Sequence, residues 1–350
     1  MSATPSTAEQ ITSGTSPIPQ TYSTSEEEYE ALTGVVGLLD RSDVGRLSVS
    51  GEDALDLLNR LSTNELMELE AGKGVGTVLI SSKGRILDLL YVFKHDDRLL
   101  VLTSPDGCQK VIDWIDFYMI MEDVVVRDVT TETAMLSLVG PNATSLLGDL
   151  AGPGVPSLAP FDFHRVSLAG AEAEVHRTDF LKLPSYDIIV AAAERNRLWG
   201  RILETGSGMG VKPVGSQAFE AVRIERGVSA FGAELSEDYN PLEANLMDLI
   251  SFTKGCYVGQ EVIARLNTYK KVQKQLVGLR WSAGVEPLTG SKLTLEGKTV
   301  GVVTSVSARR SLGGGIGLGY VKRAQAAPGT TMDTQVEGST TTIEIIDLPR

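Results

Sequence analysis

Twice along this chain a strand-like run ends in a glycine turn, passes into a helical stretch, and is followed by further strands and a second helix. In the first passage residues 45–50 alternate as a strand, Gly51-Glu52-Asp53 turns, and Ala54, Leu57, Leu58 and Leu61 recur at helical spacing. Ser50 and Asp53 stand where a helix uses a cap and an early-turn acid. Residues 75–81, 86–94 and 98–103 read as strands joined by Lys83-Gly84 and His95-Asp96-Asp97, which predicts antiparallel hairpins. A helix over 108–119, with Val111, Ile112 and Ile115 on one side, and a strand over 122–129 complete the passage. In the second, strand 134–139 meets Gly140-Pro141 and a short helix through Leu146 and Leu147. Strands near 163–168, 173–177 and 188–192 follow, then a helix over 195–204 burying Leu198, Trp199, Ile202 and Leu203. The two orders match, which hints at an internal duplication. Strands and helices recur without strict βα alternation, so the fold class is α+β rather than a doubly wound sheet.

The character changes from about Lys274. Short strands at 276–281, 292–295, 299–307 and 317–321 are separated by Gly-rich and polar turns, notably Gly313-Gly314-Gly315, and a run at 340–346 would close a small β-barrel or sandwich. Residues 1–25 are rich in Ser, Thr, Pro and Glu and read as a flexible tail, with structure beginning near Tyr29. The expected division is 1–25, 26–130, 131–272 and 273–350. A formal net charge of −13 argues against nucleic acid or an anionic membrane surface as a partner. With no apolar run of about 20 residues and no basic-then-apolar leader, the cytoplasm is the expected location. Cys108 and Cys256 and the scattered His95, His164 and His176 form no metal-ligand cluster, so no metal site is expected.

Residues 223–261 hold the densest set of chemically capable side chains: Arg223, Glu225, Glu234, Glu243, and then Lys254-Gly255-Cys256-Tyr257-Val258-Gly259-Gln260-Glu261. Glycines on either side of Cys256 allow close approach of a ligand or strand. A lysine two residues away would favour the thiolate. Against this stands the commoner fate of an isolated cysteine, a small buried hydrophobe. The basic run of Arg265, Lys270 and Lys271 reads as a solvated face.

The octapeptide resembles the KGC[FY]xGQE motif of YgfZ-type proteins, folate-binding relatives of the glycine-cleavage T-protein that are linked to iron–sulfur cluster assembly and repair. The Arg223-Ile-Glu225-Arg-Gly227 and Gly232-Ala-Glu234-Leu235 runs, Pro241 to Leu246, Leu39-Asp40-Arg41-Ser42, Thr63-Asn64 and Gly317-Leu-Gly319-Tyr320-Val321 are similar to the wider superfamily, over about residues 30–348. The resemblance implies two related α+β portions around a central cavity with a C-terminal β-barrel. It implies tetrahydrofolate or a related reduced folate as cofactor, a folate small molecule and iron–sulfur client or assembly proteins as partners, and a monomer.

Within that resemblance, Gly84-Arg85-Ile86-Leu87-Asp88-Leu89 matches the T-protein's paired-aspartate motif at Asp88, with leucine at the second acid. A carboxylate there could orient an amine and stabilise positive charge on it. The T-protein's pterin-binding segment matches Phe180-Leu181-Lys182-Leu183-Pro184-Ser185-Tyr186-Asp187, where Leu183 replaces the pterin-binding acid. The implied catalytic residues are Cys256 and Asp88. The implied cofactor-binding residues are Asp88, Arg223, Glu225, Lys254, Tyr257 and Gln260. The alternatives are a tetrahydrofolate-dependent aminomethyltransferase or demethylase, and a scaffold that has lost its ligand.

Overall fold

A computed structural model describes residues 18–152, 157–282, 284–307 and 314–348. The first half opens with α1 (Ser25–Gly34) and β1 (Gly37–Asp40), then β2 (Val44–Ser50), α2 (Ala54–Leu61), β3 (Gly74–Ile80), β4 (Ile86–Lys94), β5 (Leu99–Pro105), α3 (Cys108–Tyr118) and β6 (Val125–Asp128). Its antiparallel sheet runs β3-β4-β5-β2-β6. Leu57, Leu58 and Leu61 of α2 and Val111 and Ile115 of α3 pack with Leu47, Val49, Leu90, Val92 and Val101 in one core. The helical spacing of those leucines therefore reports a real buried stripe.

The second half repeats the order with β7 (Thr133–Val139), α4 (Ala143–Ala151), β8 (Phe163–Leu168), β9 (Ala171–Arg177), β10 (Ser185–Ala191), α5 (Arg195–Thr205) and β11 (Lys212–Pro213). Its sheet runs β11-β1-β7-β10-β9-β8. Apart from the inserted β1, the spatial order is that of the first sheet, so the duplication hinted at in the sequence is present in the topology. Phe93, Leu100 and Leu102 of one sheet meet Met135, Phe163 and Ile189 of the other. After α6 (Ser216–Glu225) and α7 (Gln260–Thr268), the chain forms β12 (Lys274–Ser282), β13 (Lys292–Leu295), β14 (Lys298–Ser307), β15 (Gly314–Lys322), β16 (Thr331–Val336) and β17 (Ser339–Ile346). These strands make a closed barrel, β12-β15-β14-β13-β16-β17, with β17 returning to β12.

Several expectations need correcting. Residues 18–25 are bonded into the fold rather than a loose tail: Pro19 and Gln20 carbonyls accept from Ser216 and Gln217 N–H, and the buried Glu28 carboxylate accepts from Tyr22, Ser23 and Gly215 N–H. Residues 1–17 lie outside the described residues. Ser50 ends β2 rather than capping α2, and Asp53, not an early-turn acid but the residue before the helix, makes no side-chain cap: its carboxylate accepts from Asp123 N–H. Gly314 and Gly315 are strand residues, because a Cβ on Gly315 would overlap the Trp281 ring and one on Gly314 the Trp281 carbonyl. Gly313 lies outside the described residues. Helices α1, α6 and α7 and strand β16 were not anticipated.

Candidate functional site

The octapeptide forms the approach to α7 and is tied to the distant end of α2. The Lys254 Nζ donates to the carbonyls of Asn59 (2.7 Å), Ser62 (3.1 Å) and Asn64. An ammonium at these carbonyls suits the negative end of the helix dipole. Burial pulls the Lys254 pKa down to about 8, which still leaves the ammonium the major form at neutral pH. Its charge is directed at α2, not at the thiol. Tyr257 is buried in the core with Ile80, Ile263 and Leu276, and burial pushes its hydroxyl up to about 12. Val258 N–H donates to Arg60 O at 2.9 Å. Gly259 takes φ 80°, and a Cβ there would sit 2.5 Å from Ser81 O, so the turn into Gln260 needs glycine. Between these anchors Gly255 and Cys256 are exposed, and Cys256 is a free thiol.

Asp88 lies on β4 opposite Leu79 and is 1% exposed. Its carboxylate accepts from Leu89 N–H at 2.7 Å, Ser104 N–H at 3.2 Å and Ser104 Oγ at 3.1 Å. It sits against the turn that starts α3, where a Cβ on Gly107 would come within 2.6 Å of Oδ2. Burial raises its pKa to about 6, against the opposing effect of the Ser104 bonds and the Lys110 charge. Lys110 in turn pairs with Glu237 at 3.0 Å and lies over the Phe231 ring, so the 228–238 loop crosses this end of α3. Among the described residues no hydrogen bond or ion pair joins Asp88 to Cys256.

Arg223 and Glu225 occupy α6. The buried Arg223 guanidinium spans Glu220 (2.6 Å), Glu234 (3.2 Å), Val228 O and Ser305 Oγ (2.8 Å). Glu234, also buried, accepts from Thr304 and Ser305 hydroxyls on β14. This network fastens α6 and the loop after it to the barrel. Glu225 accepts from the Tyr29 hydroxyl of α1 at 2.5 Å. Gln260 begins α7 directly beyond the Gly259 turn.

The Phe180–Asp187 segment faces the protein. Leu181 and Leu183 are buried with Leu39, Val139 and Val222. Asp187 belongs to β10, which starts earlier than the alternation suggested. Its carboxylate accepts from Arg41 (3.2 Å), Thr178 (2.9 Å) and Ser137. The Arg41 guanidinium covers the Phe180 ring at 3.7 Å.

A cleft of about 410 Å³ opens between the two sheets, lined among others by Arg46, Arg98, Arg127, Arg165, Glu132 and Glu174, and none of the predicted site residues lines it. Its arginines are already matched: Arg98 and Arg165 pair with Glu174, and Arg127 with Glu132. Buried Arg46 donates to carbonyl oxygens and Thr133 Oγ1. The cleft is therefore not the place where Asp88 or Cys256 would act. Beside it His95 and His176 approach Glu174 at 3.6 and 3.7 Å. Cys108 is buried next to Thr103 and Thr130, and burial raises its thiol pKa. Among the described residues no His/Cys/Asp/Glu group could hold a metal ion, and no helix is long and apolar enough to cross a membrane.

Comparison with known proteins accounts for this architecture. Residues 5–254 match the GCVT N-terminal domain and residues 274–350 the glycine cleavage T-protein C-terminal barrel domain. A chloroplastic protein of Arabidopsis thaliana, named as a transferase, is 33% identical over 89% of this chain and 71% of its own length. An aminomethyltransferase of Halothermothrix orenii is 29% identical over 95% of this chain and 93% of its own. The crystal structure of the glycine cleavage system aminomethyltransferase T of Bartonella henselae superposes with a TM-score of 0.85 at 22% identity, covering 95% of this chain and 91% of that one, which shows the shared fold. With both matched segments in sequence order and the barrel closed on β12, the chain belongs to the glycine-cleavage T-protein family.

Proposed function

We propose that this chain is a YgfZ-type, tetrahydrofolate-binding protein that supports iron–sulfur cluster assembly or repair as a cytoplasmic monomer, with Cys256 as its reactive thiol. The observation that carries the reading is the contrast inside the octapeptide. Lys254, Tyr257, Val258 and Gly259 are each pinned, while Cys256 stands in solvent. A packing cysteine would be buried, and an accessible thiol on a rigid loop suits attack on, or transfer to, a partner.

The residues fit a reduced folate in part. Asp88, a buried carboxyl with a pKa near 6, can orient an amine and exchange a proton close to neutral pH. Leu183 offers no acid to a pterin edge and is packed among other leucines, so any folate is held differently from the T-protein pattern. Tyr257 and Gln260 flank the thiol in the chain, and Arg223 and Glu225 fasten α6 to the barrel and to α1. A bound reduced folate would supply nitrogens that carry one-carbon units. The chain's own part is to hold Asp88 dry and Cys256 exposed.

Titration with tetrahydrofolate, followed by intrinsic fluorescence, tests the folate reading, and saturable binding is expected. No affinity at millimolar ligand overturns it. Expression of Cys256→Ser in cells lacking the protein tests the thiol: full restoration of iron–sulfur enzyme activity removes Cys256 from the mechanism.

A second reading, a folate-dependent aminomethyltransferase or demethylase, draws on the Asp88 environment and on the names of the bacterial relatives. Incubation with tetrahydrofolate and one-carbon donors should then yield methyl- or methylene-tetrahydrofolate, abolished in Asp88→Ala. No product from any donor defeats this reading and leaves the first intact.

A further inference from the structure

The C-terminal end of α3 and the chain beyond it carry a concentration of exposed apolar side chains that the folate reading does not use. Phe117 is 74% exposed, Ile120 86%, Met121 92% and Val125 59%. They fall within nine residues, from the last turn of α3 to the first residue of β6, whereas Asp88 lies at the opposite, N-terminal end of that helix. Phe117 is held by ring contacts to Trp114 and Tyr118 at 6.2 and 5.0 Å, so it stands preformed on the surface. β6 is an edge of its sheet, with β2 on one side and, among the described residues, no strand on the other. Exposed apolar side chains concentrated in so short a segment mark a contact surface.

The charges around the patch indicate what would cover it. Asp113, Asp116 and Asp123 are exposed, and among the described residues no lysine, arginine or histidine forms an ion pair with them. The neighbouring cations are already engaged: Arg60 by Asp56 and Glu122, Lys110 by Glu237, and Arg127 by Glu132. The patch is therefore apolar with an uncompensated negative rim. A second copy would set the same three aspartates against each other, and an anionic membrane would meet the same repulsion. We propose that this face docks a protein segment whose apolar side chains are flanked by lysine or arginine.

Fluorescence anisotropy with two labelled model helices tests the proposal on the full-length protein. One helix is amphipathic leucine–lysine, the other leucine–glutamate. The leucine–lysine helix should bind and the other should not. Ile120→Ser/Met121→Ser and Asp113→Asn/Asp116→Asn/Asp123→Asn should each weaken binding roughly tenfold or more, as expected when central contacts of an interface are lost. All these side chains are exposed, so the thermal unfolding midpoint should be unchanged in both variants. Absence of binding, equal binding of both helices, or equal affinity of wild type and variants overturns the proposal. So does a dimer in sedimentation that Ile120→Ser/Met121→Ser dissolves, which would assign the face to a second copy, or binding to anionic vesicles that the same variant abolishes.

Discussion

Arg223 and Glu234 are the side chains whose loss should be felt most. Both are buried, at 4% and 0% exposure, and they join α6 to the barrel through Thr304 and Ser305. Removing one partner leaves the other charge buried, which typically costs about 3–5 kcal/mol. Arg223→Ala, which leaves the fully buried Glu234 without its cation, should therefore lower the unfolding free energy measured in urea by that order. Glu234→Ala should cost somewhat less, because Arg223 keeps Glu220 at 2.6 Å. Lys254→Met should strand three carbonyls at the end of α2, at a cost of about 1–3 kcal/mol, and speed alkylation of Cys256 as its loop loosens. A thiol-labelling rate unchanged in Lys254→Met would mean that Lys254 does not position the loop. These roles were not legible in the sequence. Lys254 has partners almost 200 residues upstream, and Arg223 is completed by hydroxyls some 80 residues downstream. The motif showed that the residues mattered without showing what they touch.

Helices and strands with strong apolar periodicity were the easiest elements to read. α2, β4 and β8 begin and end close to where spacing placed them: α2 buries a leucine stripe, β4 sends side chains into core on both of its faces, and β8 packs Phe163 and Leu168 inward. The elements missed lack that signal. α7 begins within the glycine motif and buries only Ile263, while Thr334 occupies a buried position on β16 and breaks its apolar alternation. The barrel glycines read as a turn in the sequence, which does not reveal that Trp281 lies across them. The junction into α7 carries its own prediction. Gly259→Ala places a Cβ at positive φ and 2.5 Å from Ser81 O, which should cost about 1–3 kcal/mol of strain. Chemical denaturation measures the loss. Gly255→Ala has open space around its Cβ and is the control, expected to be near wild type.

At the scale of the molecule, two buried groups in different places give opposite pH responses in one window. Asp88 lies within the first half, and its folded pKa of about 6 is above the ordinary aspartate value of about 3.9. The folded state then holds its proton more tightly, so this group's contribution is greatest below about pH 4 and is lost as pH rises to 6. His95 lies where the two halves meet, against Phe163 and Glu174, with Arg98, His176 and Arg165 also facing it. Burial lowers its pKa to about 4, so its contribution is present above about pH 6.5 and is lost as pH falls through 4. Each shift of about two units corresponds to roughly 2–3 kcal/mol. The wild type should therefore be nearly flat between pH 4 and 6.5, since one group gains what the other loses. Asp88→Asn should uncover a stability that climbs with pH across the window, and His95→Gln one that falls. Urea unfolding of the three proteins at pH 4, 5, 6 and 7 decides the matter. Parallel curves would mean that neither burial perturbs its group as the geometry requires, whereas opposite slopes would place an ionisable carboxyl at Asp88 and a neutral imidazole at the joint between the repeated halves.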